Sequence, residues 1–185
     1  MKRFIFFTLL ILFSFHLFGF PAKSVTVLNN RDYLPYTINL IKNAGKTIDV
    51  AMLEIHPSLN REGDPITEIL DALIYSHNRG VKVRVIVDAS NFAKNSTRQN
   101  MDAVEYLTAH GVEALYDDLD TTTHAKMFIV DSTIVVLGST NWSYYAMSQN
   151  DESSVAITSP EVARYYEEKF FAPILKRSTK ELRIK

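Results

Sequence analysis

Two apolar runs of strand length, residues 125–130 and 133–137, are separated only by Asp131 and Ser132. So short a connection closes as a tight antiparallel hairpin, which makes the two runs neighbours in one sheet. In the first run Ala125, Met127 and Ile129 share one face, and His124, Lys126, Phe128 and Val130 share the other. His124 and Lys126 therefore project from the same side, about 7 Å apart along the strand. Asp131 has the opposite parity and opens the turn. Gly138 breaks the second run, and Ser139 and Asn141 follow at once. The hairpin thus carries an imidazole, an ammonium, a hydroxyl and an amide to one end. An imidazole can attack or protonate, and an ammonium can hold a phosphate oxygen as a point charge. The hydroxyl and amide can donate to the same anion.

The rest of the chain alternates between strand and helix patterns. Residues 29–32 start a helix whose stripe is Leu34, Ile38 and Ile41, and Gly45 ends it. A strand follows over 47–53, then a polar loop over 55–63. Asp64-Pro65 is a helix start, with an N-cap followed by proline. Residues 81–87 alternate as a half-buried strand should. Ser96 with Gln99 fits a capping box ahead of Met101, Val104 and Leu107. Residues 112–116 form a short strand, and Asp117, Asp118 and Asp120 read as a solvated acidic loop. Another strand spans 153–158, Ser159-Pro160 caps a final helix, and residues 176–185 fray. Strands alternating with helices of 12 to 16 residues imply an α/β domain, a mixed β-sheet sandwiched between helices. A chain of 185 residues suits one such domain.

Residues 1–24 stand apart. Lys2 and Arg3 precede a 17-residue apolar run, residues 4–20, and Ala22-Lys23-Ser24 offers the small residues that a signal peptidase reads. The reading is a signal peptide cut after Ser24. An N-terminal membrane anchor is the alternative, since the run sits at the short end of a span. Either way the catalytic domain covers residues 25–185 and the protein is exported: periplasmic or secreted, or anchored to the inner membrane facing outward. Removing Lys2, Arg3 and Lys23 takes three of the 20 basic side chains and none of the 21 acidic ones, leaving a net charge of −4. Nucleic-acid binders usually carry a basic footprint, so overall charge does not argue for one. Cysteine is absent, which excludes disulfides, thiolate metal sites and a lipidated cysteine anchor.

His124, Lys126 and Asp131, followed by Gly138, Ser139 and Asn141, resemble the HxKxxxxD…GSxN signature of the phospholipase D superfamily. Asn150 and Glu152 match the polar pair that follows it. A lone HxK would mean no more than a surface hairpin; six positions agreeing within 29 residues are specific. The resemblance covers residues 25 to 175. It is greatest to the small bacterial members with one motif per chain, many of them nucleases.

That resemblance implies a fold like the one read above and a metal-independent mechanism with no cofactor. One His attacks phosphorus to give a phosphohistidine, a second protonates the leaving alcohol, and water hydrolyses the intermediate. Of the five histidines, at 16, 56, 77, 110 and 124, only His124 is followed by lysine in the pattern. The second motif must then come from another copy, in a homodimer with a composite active site. The resemblance assigns His124 as nucleophile or acid, and Lys126 and Asn141 to the phosphate oxygens. It gives Ser139 to the hydrogen bonds around the anion, and Glu152 to the histidine tautomer. Asp131 completes the motif and, by its parity, braces the hairpin. Glu54 and His56 could line the site. Trp142, Tyr144 and Tyr145 are expected to pack beneath the loop, with stacking on a base or an acyl chain as the alternative. Nucleic acid is the favoured substrate. Phosphatidyl lipid or cardiolipin comes second, and a membrane-tethered DNA-binding module without turnover third.

Overall fold

The computed structural model describes residues 19–89 and 94–182. Strand β1, Ser24–Asn29, leads through a 3₁₀ turn, Asn30–Asp32, into helix α1, Tyr33–Lys42. Then come β2 (Thr47–Met52), α2 (Pro65–Asn78), β3 (Lys82–Val87), α3 (Lys94–Ala109) and β4 (Glu113–Tyr116). The hairpin strands are β5 (Lys126–Val130) and β6 (Ile134–Gly138). Helix α4 (Tyr144–Ser148) and β7 (Ser153–Thr158) follow. The described chain closes with α5 (Pro160–Tyr166), one π-helical turn (Glu167–Phe171) and α6 (Ala172–Arg177). Among the described residues no helix is long and apolar enough to cross a membrane. Of the apolar run at 4–20, residues 4–18 lie outside the described residues.

The seven strands form one mixed sheet in the order β1-β7-β6-β5-β2-β3-β4. β2, β3 and β4 are parallel, and every other neighbouring pair is antiparallel. One face buries Val50, Phe128 and Val130 against α1, α2 and α3; the other buries Ala51, Met127 and Ile129 against α5, Phe171 and Ile174. The period-two reading of the hairpin thus sends alternate side chains to two different cores. Asp64 caps α2 by accepting from Thr67 N, with Pro65 in the first turn; Ser159 caps α5 in the same way through Val162 N.

The register brings one set of ends together. Met52 pairs with Lys126, Met127 with Leu137, and Gly138 with Ser154. The carboxyl ends of β2, β3, β4 and β6 and the amino ends of β5 and β7 therefore lie along one sheet edge. This is where ligands of open α/β sheets bind.

The opposite edge holds the hairpin turn. Asp131 and Ser132, with φ of 53° and 51°, form the left-handed centre of a turn closed by Thr133 N donating to Val130 O at 3.0 Å. Val130 pairs with Ile134, so the connection is one residue longer than the sequence pattern implies. The Asp131 carboxylate accepts from Gly45 N (2.8 Å), Lys46 N (2.7 Å) and Thr47 N (2.9 Å), tying the turn to the start of β2. Partial burial alone would raise this carboxyl, but the three backbone donors hold it below its ordinary value. We expect Asp131→Ala to cost about 2–3 kcal/mol at pH 7 by loss of these charge-assisted bonds. A depressed folded-state pKa stabilises above the unfolded value, near ~3.9, and that contribution fades as pH falls through the folded value. Urea titrations should therefore show the gap between variant and wild type narrowing from pH 7 to pH 3.

Three expectations change. β1 is an addition to the elements read above: Val25, Thr26 and Val27 are β-branched and alternate, and they form an edge strand in which only Leu28 is buried. Helix α3 is already formed at Lys94, two residues before Ser96. The Ser96 hydroxyl donates to Glu54 Oε1 at 2.6 Å instead of capping a helix end. Residues 20–24, assigned to the leader, pack on the domain. The Phe20 ring lies 5.2 Å from Tyr165, Pro21 O accepts from Ser159 Oγ at 2.6 Å, and Lys23 N donates to Thr158 O at 2.8 Å.

Candidate active site

His124 stands just ahead of β5. The ladder to β2 reaches one bond beyond the strand, from Leu53 N to Ala125 O at 2.7 Å, and stops there. The imidazole is exposed and lines a groove of about 510 Å³ shared with Thr121, Thr123, Lys169, Phe170 and Arg177. Lys126, the first residue of β5, is half-buried. Its Nζ lies 3.4 Å from His124 Nδ1 and 3.1 Å from His124 O. Burial lowers the Lys126 pKa, while the charges of Glu54 and Glu152 resist that shift. An ammonium donates and does not accept. In this arrangement Nδ1 is therefore the acceptor, and a neutral ring carries its proton on Nε2.

β6 ends at Gly138 because the sheet leaves no room for a side chain there. A Cβ on Gly138 would sit 2.5 Å from Ser154 Cα and closer still to Ser153 O. The chain then turns outward, and Ser139 is exposed. Its hydroxyl donates to Glu152 Oε2 and accepts from Ser153 N at 3.0 Å. Glu152 Oε1 accepts from Asn150 Nδ2 at 3.1 Å. The Glu152 oxygens are thus engaged by Ser139 and Asn150, where the resemblance assigns this carboxylate to the histidine. Asn30, with φ of 50°, supports Glu152 by accepting from its backbone N–H at 2.7 Å.

Asn141 Nδ2 lies 3.4 Å from Glu54 Oε2, and its Oδ1 is buried without a partner. Glu54 therefore orients this amide, and it also engages Ser96. Its place follows from β2, which ends at Met52. Buried Asn100 of α3 fixes the next residues, accepting from Ile55 N at 2.7 Å and donating to Leu53 O and Asp88 O at 2.8 Å each. His56 is exposed and contributes only its backbone, donating to Trp142 O at 2.8 Å. Trp142 is fully buried. Its indole N–H donates to Tyr33 Oη at 3.1 Å, and its ring meets Phe128 edge-on at 6.0 Å. Packing, not stacking on a ligand, accounts for Trp142. Tyr144 and Tyr145 lie at the surface, Tyr144 beneath the Arg61 guanidinium at 4.3 Å.

His124, Lys126, Ser139, Asn141 and Glu152 therefore meet at one sheet edge, and Glu54 joins them. Asp131 does not: it lies at the far end of β5. The acidic loop also departs from expectation. Asp117 is buried, not solvated, and pairs with Arg177. No local signal marks that pair, because its members are 60 residues apart.

Such an edge can hold a tetrahedral anion beside an imidazole. Mitochondrial cardiolipin hydrolase of Xenopus tropicalis is 30% identical over 99 residues, 54% of this chain and 45% of that protein. The virion nicking-joining enzyme of vaccinia virus (strain Western Reserve) is 33% identical over 124 residues, 64% of this chain and 27% of that protein. The chain thus spans less than half the length of these curated relatives. Among solved structures, Nuc from Salmonella typhimurium, a phospholipase D family member, superposes with a TM-score of 0.72 at 23% identity. That alignment covers 84% of this chain and 96% of Nuc, and it establishes the fold. The family model described as "Cardiolipin synthase, PLD-like domain" matches residues 37–172, nearly three-quarters of the sequence. By that match, the chain belongs to the phospholipase D-like family.

Proposed function

We propose that this chain is a metal-independent phosphodiesterase acting as a homodimer with one composite site, with nucleic acid as the favoured substrate. The observation that carries the reading is the convergence of His124, Lys126, Ser139 and Asn141 on one exposed edge. No second histidine–lysine pair in the sequence completes the site from within one chain.

In one copy His124 Nε2 attacks phosphorus, a P–N bond forms, and the P–O bond to the alcohol breaks. His124 of the second copy gives its proton to the leaving oxygen. Water then attacks the phosphohistidine, yielding its proton to the second histidine, and the P–N bond breaks. Lys126 and Asn141 balance charge on the non-bridging oxygens. Attack through Nε2 needs the proton on Nδ1. An arriving phosphate draws the Lys126 ammonium away from Nδ1 and frees that nitrogen to carry it.

The vaccinia relative's name supports a nucleic acid. The groove beside His124 sets Lys169 among Ala125, Phe170, Pro173 and Ile174 and favours neither substrate. The cardiolipin hydrolase name and the apolar run near the N-terminus support the second reading, a phosphatidyl lipid. The same run, with the basic pair ahead of it, supports an exported or membrane-tethered protein.

The test is full-length protein in excess EDTA, offered single-stranded DNA or cardiolipin vesicles. The expected result is DNA cleavage by a species whose light-scattering mass is that of two chains. Cleavage of vesicles alone would replace the nucleic acid with the lipid. An active sample of one-chain mass would refute the composite site.

A further inference from the structure

Thr123, the residue before His124, is gripped on two sides. Its backbone N–H donates to Asp88 Oδ1 at 2.7 Å, and its hydroxyl donates to Asp117 Oδ2. All three residues are buried. Asp88 directly follows β3 and Asp117 directly follows β4, so both carboxylates come from the edge that holds the site. Asp117 N is itself bonded to Val87 O at 2.9 Å. Behind Asp117 stands Arg177 of α6. Its guanidinium gives two parallel bonds of 2.7 Å to the two carboxylate oxygens and also pairs with Asp118 at 2.7 Å. Thr179 exchanges two backbone bonds of 2.8 Å with Tyr116, which ties the chain after α6 to β4. Burial alone would raise the Asp117 carboxyl. The bonds from Arg177, Thr123 and Asp118 N hold it below the ordinary value, so Thr123 donates to a carboxylate.

His124 needs such support. Its side chain is exposed, and it lies outside the sheet ladder, so its backbone is placed by whatever holds its neighbours. Ala125 is held by the last ladder bond. On the other side there is only Thr123.

We propose that Thr123 is a positioning residue for His124, and that the Asp88–Thr123–Asp117–Arg177 chain fixes the angle at which the imidazole meets phosphorus. The proposal rests on His124 being the nucleophile. The competing explanation is that the Asp117–Arg177 pair merely fastens α6 to the sheet. Thr123→Val separates the two, because it removes one donor, keeps the shape and leaves Asp117 paired with Arg177.

The experiment measures full-length Thr123→Val and Thr123→Ser on bis(p-nitrophenyl) phosphate in EDTA, well below either melting temperature. The valine variant should lose about 10- to 100-fold in kcat, the scale of a small misplacement of a reacting group. Its KM should stay within about twofold, and serine should restore kcat to within about threefold. A valine variant with wild-type kcat and only a lowered Tm would overturn the proposal, as would a rise in KM alone. Should Thr123→Val not fold, Thr123→Ala removes the same donor and leaves the Asp117–Arg177 pair in place, and the same split in kcat is expected. Ring ¹⁵N NMR of His124 reports independently of turnover. If the wild type cleaves no diester, the phosphodiesterase reading fails. The His124 ring resonances of the valine variant should still differ from those of the wild type, broadened or multiplied; unchanged ring resonances would sink the positioning role by themselves.

Discussion

Replacing His124 with alanine is expected to lower phosphodiester cleavage by about 10⁴-fold or more, the scale seen when a catalytic nucleophile is removed. In a composite site each variant dimer loses both the attacking nitrogen and the proton donor, so no half-site remains to sustain turnover. The fold should hardly notice. The imidazole is exposed, and its hydrogen bond among the described residues is with the Lys126 ammonium 3.4 Å away, so stability should change by no more than about 0.5 kcal/mol. Mixed dimers sharpen the test. Variant and wild type, unfolded together and refolded at equal amounts, should give half their molecules as heterodimers with one histidine. Activity near one quarter of the wild-type value would mean that both histidines are needed, and one half that each chain works alone. Cleavage at the wild-type rate by purified His124→Ala would place the nucleophile elsewhere.

Gly138→Ala should cause the largest loss of stability of any single methyl group added at the site. The new Cβ would lie 2.5 Å from Ser154 Cα and closer to Ser153 O, atoms of the neighbouring strand and not flexible tips. β6 and β7 would have to part where Gly138 pairs with Ser154. The buried bond between Thr140 Oγ1 and Ser154 Oγ, 2.8 Å long, lies in the path of that shift. Overpacking of this kind costs about 1–3 kcal/mol where a core can yield, and more where it cannot. About 3–4 kcal/mol is expected here. Ser139 and Asn141 follow within three residues, so activity should fall together with stability. The two readouts, urea unfolding and kcat at low temperature, should move together, unlike those of His124→Ala. A Gly138→Ala protein as stable as wild type would mean that the strands are not so close in solution.

The hairpin was legible because what specifies it is local: a period of two, a short polar turn and a glycine. Only the turn is one residue longer than read, since Val130 pairs with Ile134. The caps at Asp64 and Ser159 were legible for the same reason. The place of β1 was not, because it depends on pairing with a strand about 130 residues later, although Val25, Thr26 and Val27 are β-branched. Ser96 has the spacing of a capping box, yet the partner it finds is Glu54, 42 residues away. Asp117 reads as one of three acids in a polar loop, and only the fold shows that Arg177 neutralises it. Residues 176–185 read as a charged fringe, but Arg177 and Thr179 are bound to the sheet edge. What escaped the sequence is therefore the support behind the site, built from side chains that meet only across long loops.

The pairing of β1 with β7 has a kinetic corollary. Ser24 faces Thr158 and Asn29 faces Ser153, so the first strand of the described chain finds its only neighbour in the last. During vectorial synthesis, β1 must wait for more than a hundred residues before it can dock. Closing so long a loop is entropically costly and slows folding. The segment between is left with an open strand margin in the meantime, the condition under which chains associate with one another. A nascent form stopped before residue 153 is thus the species most prone to self-association, and the one a holding chaperone would meet.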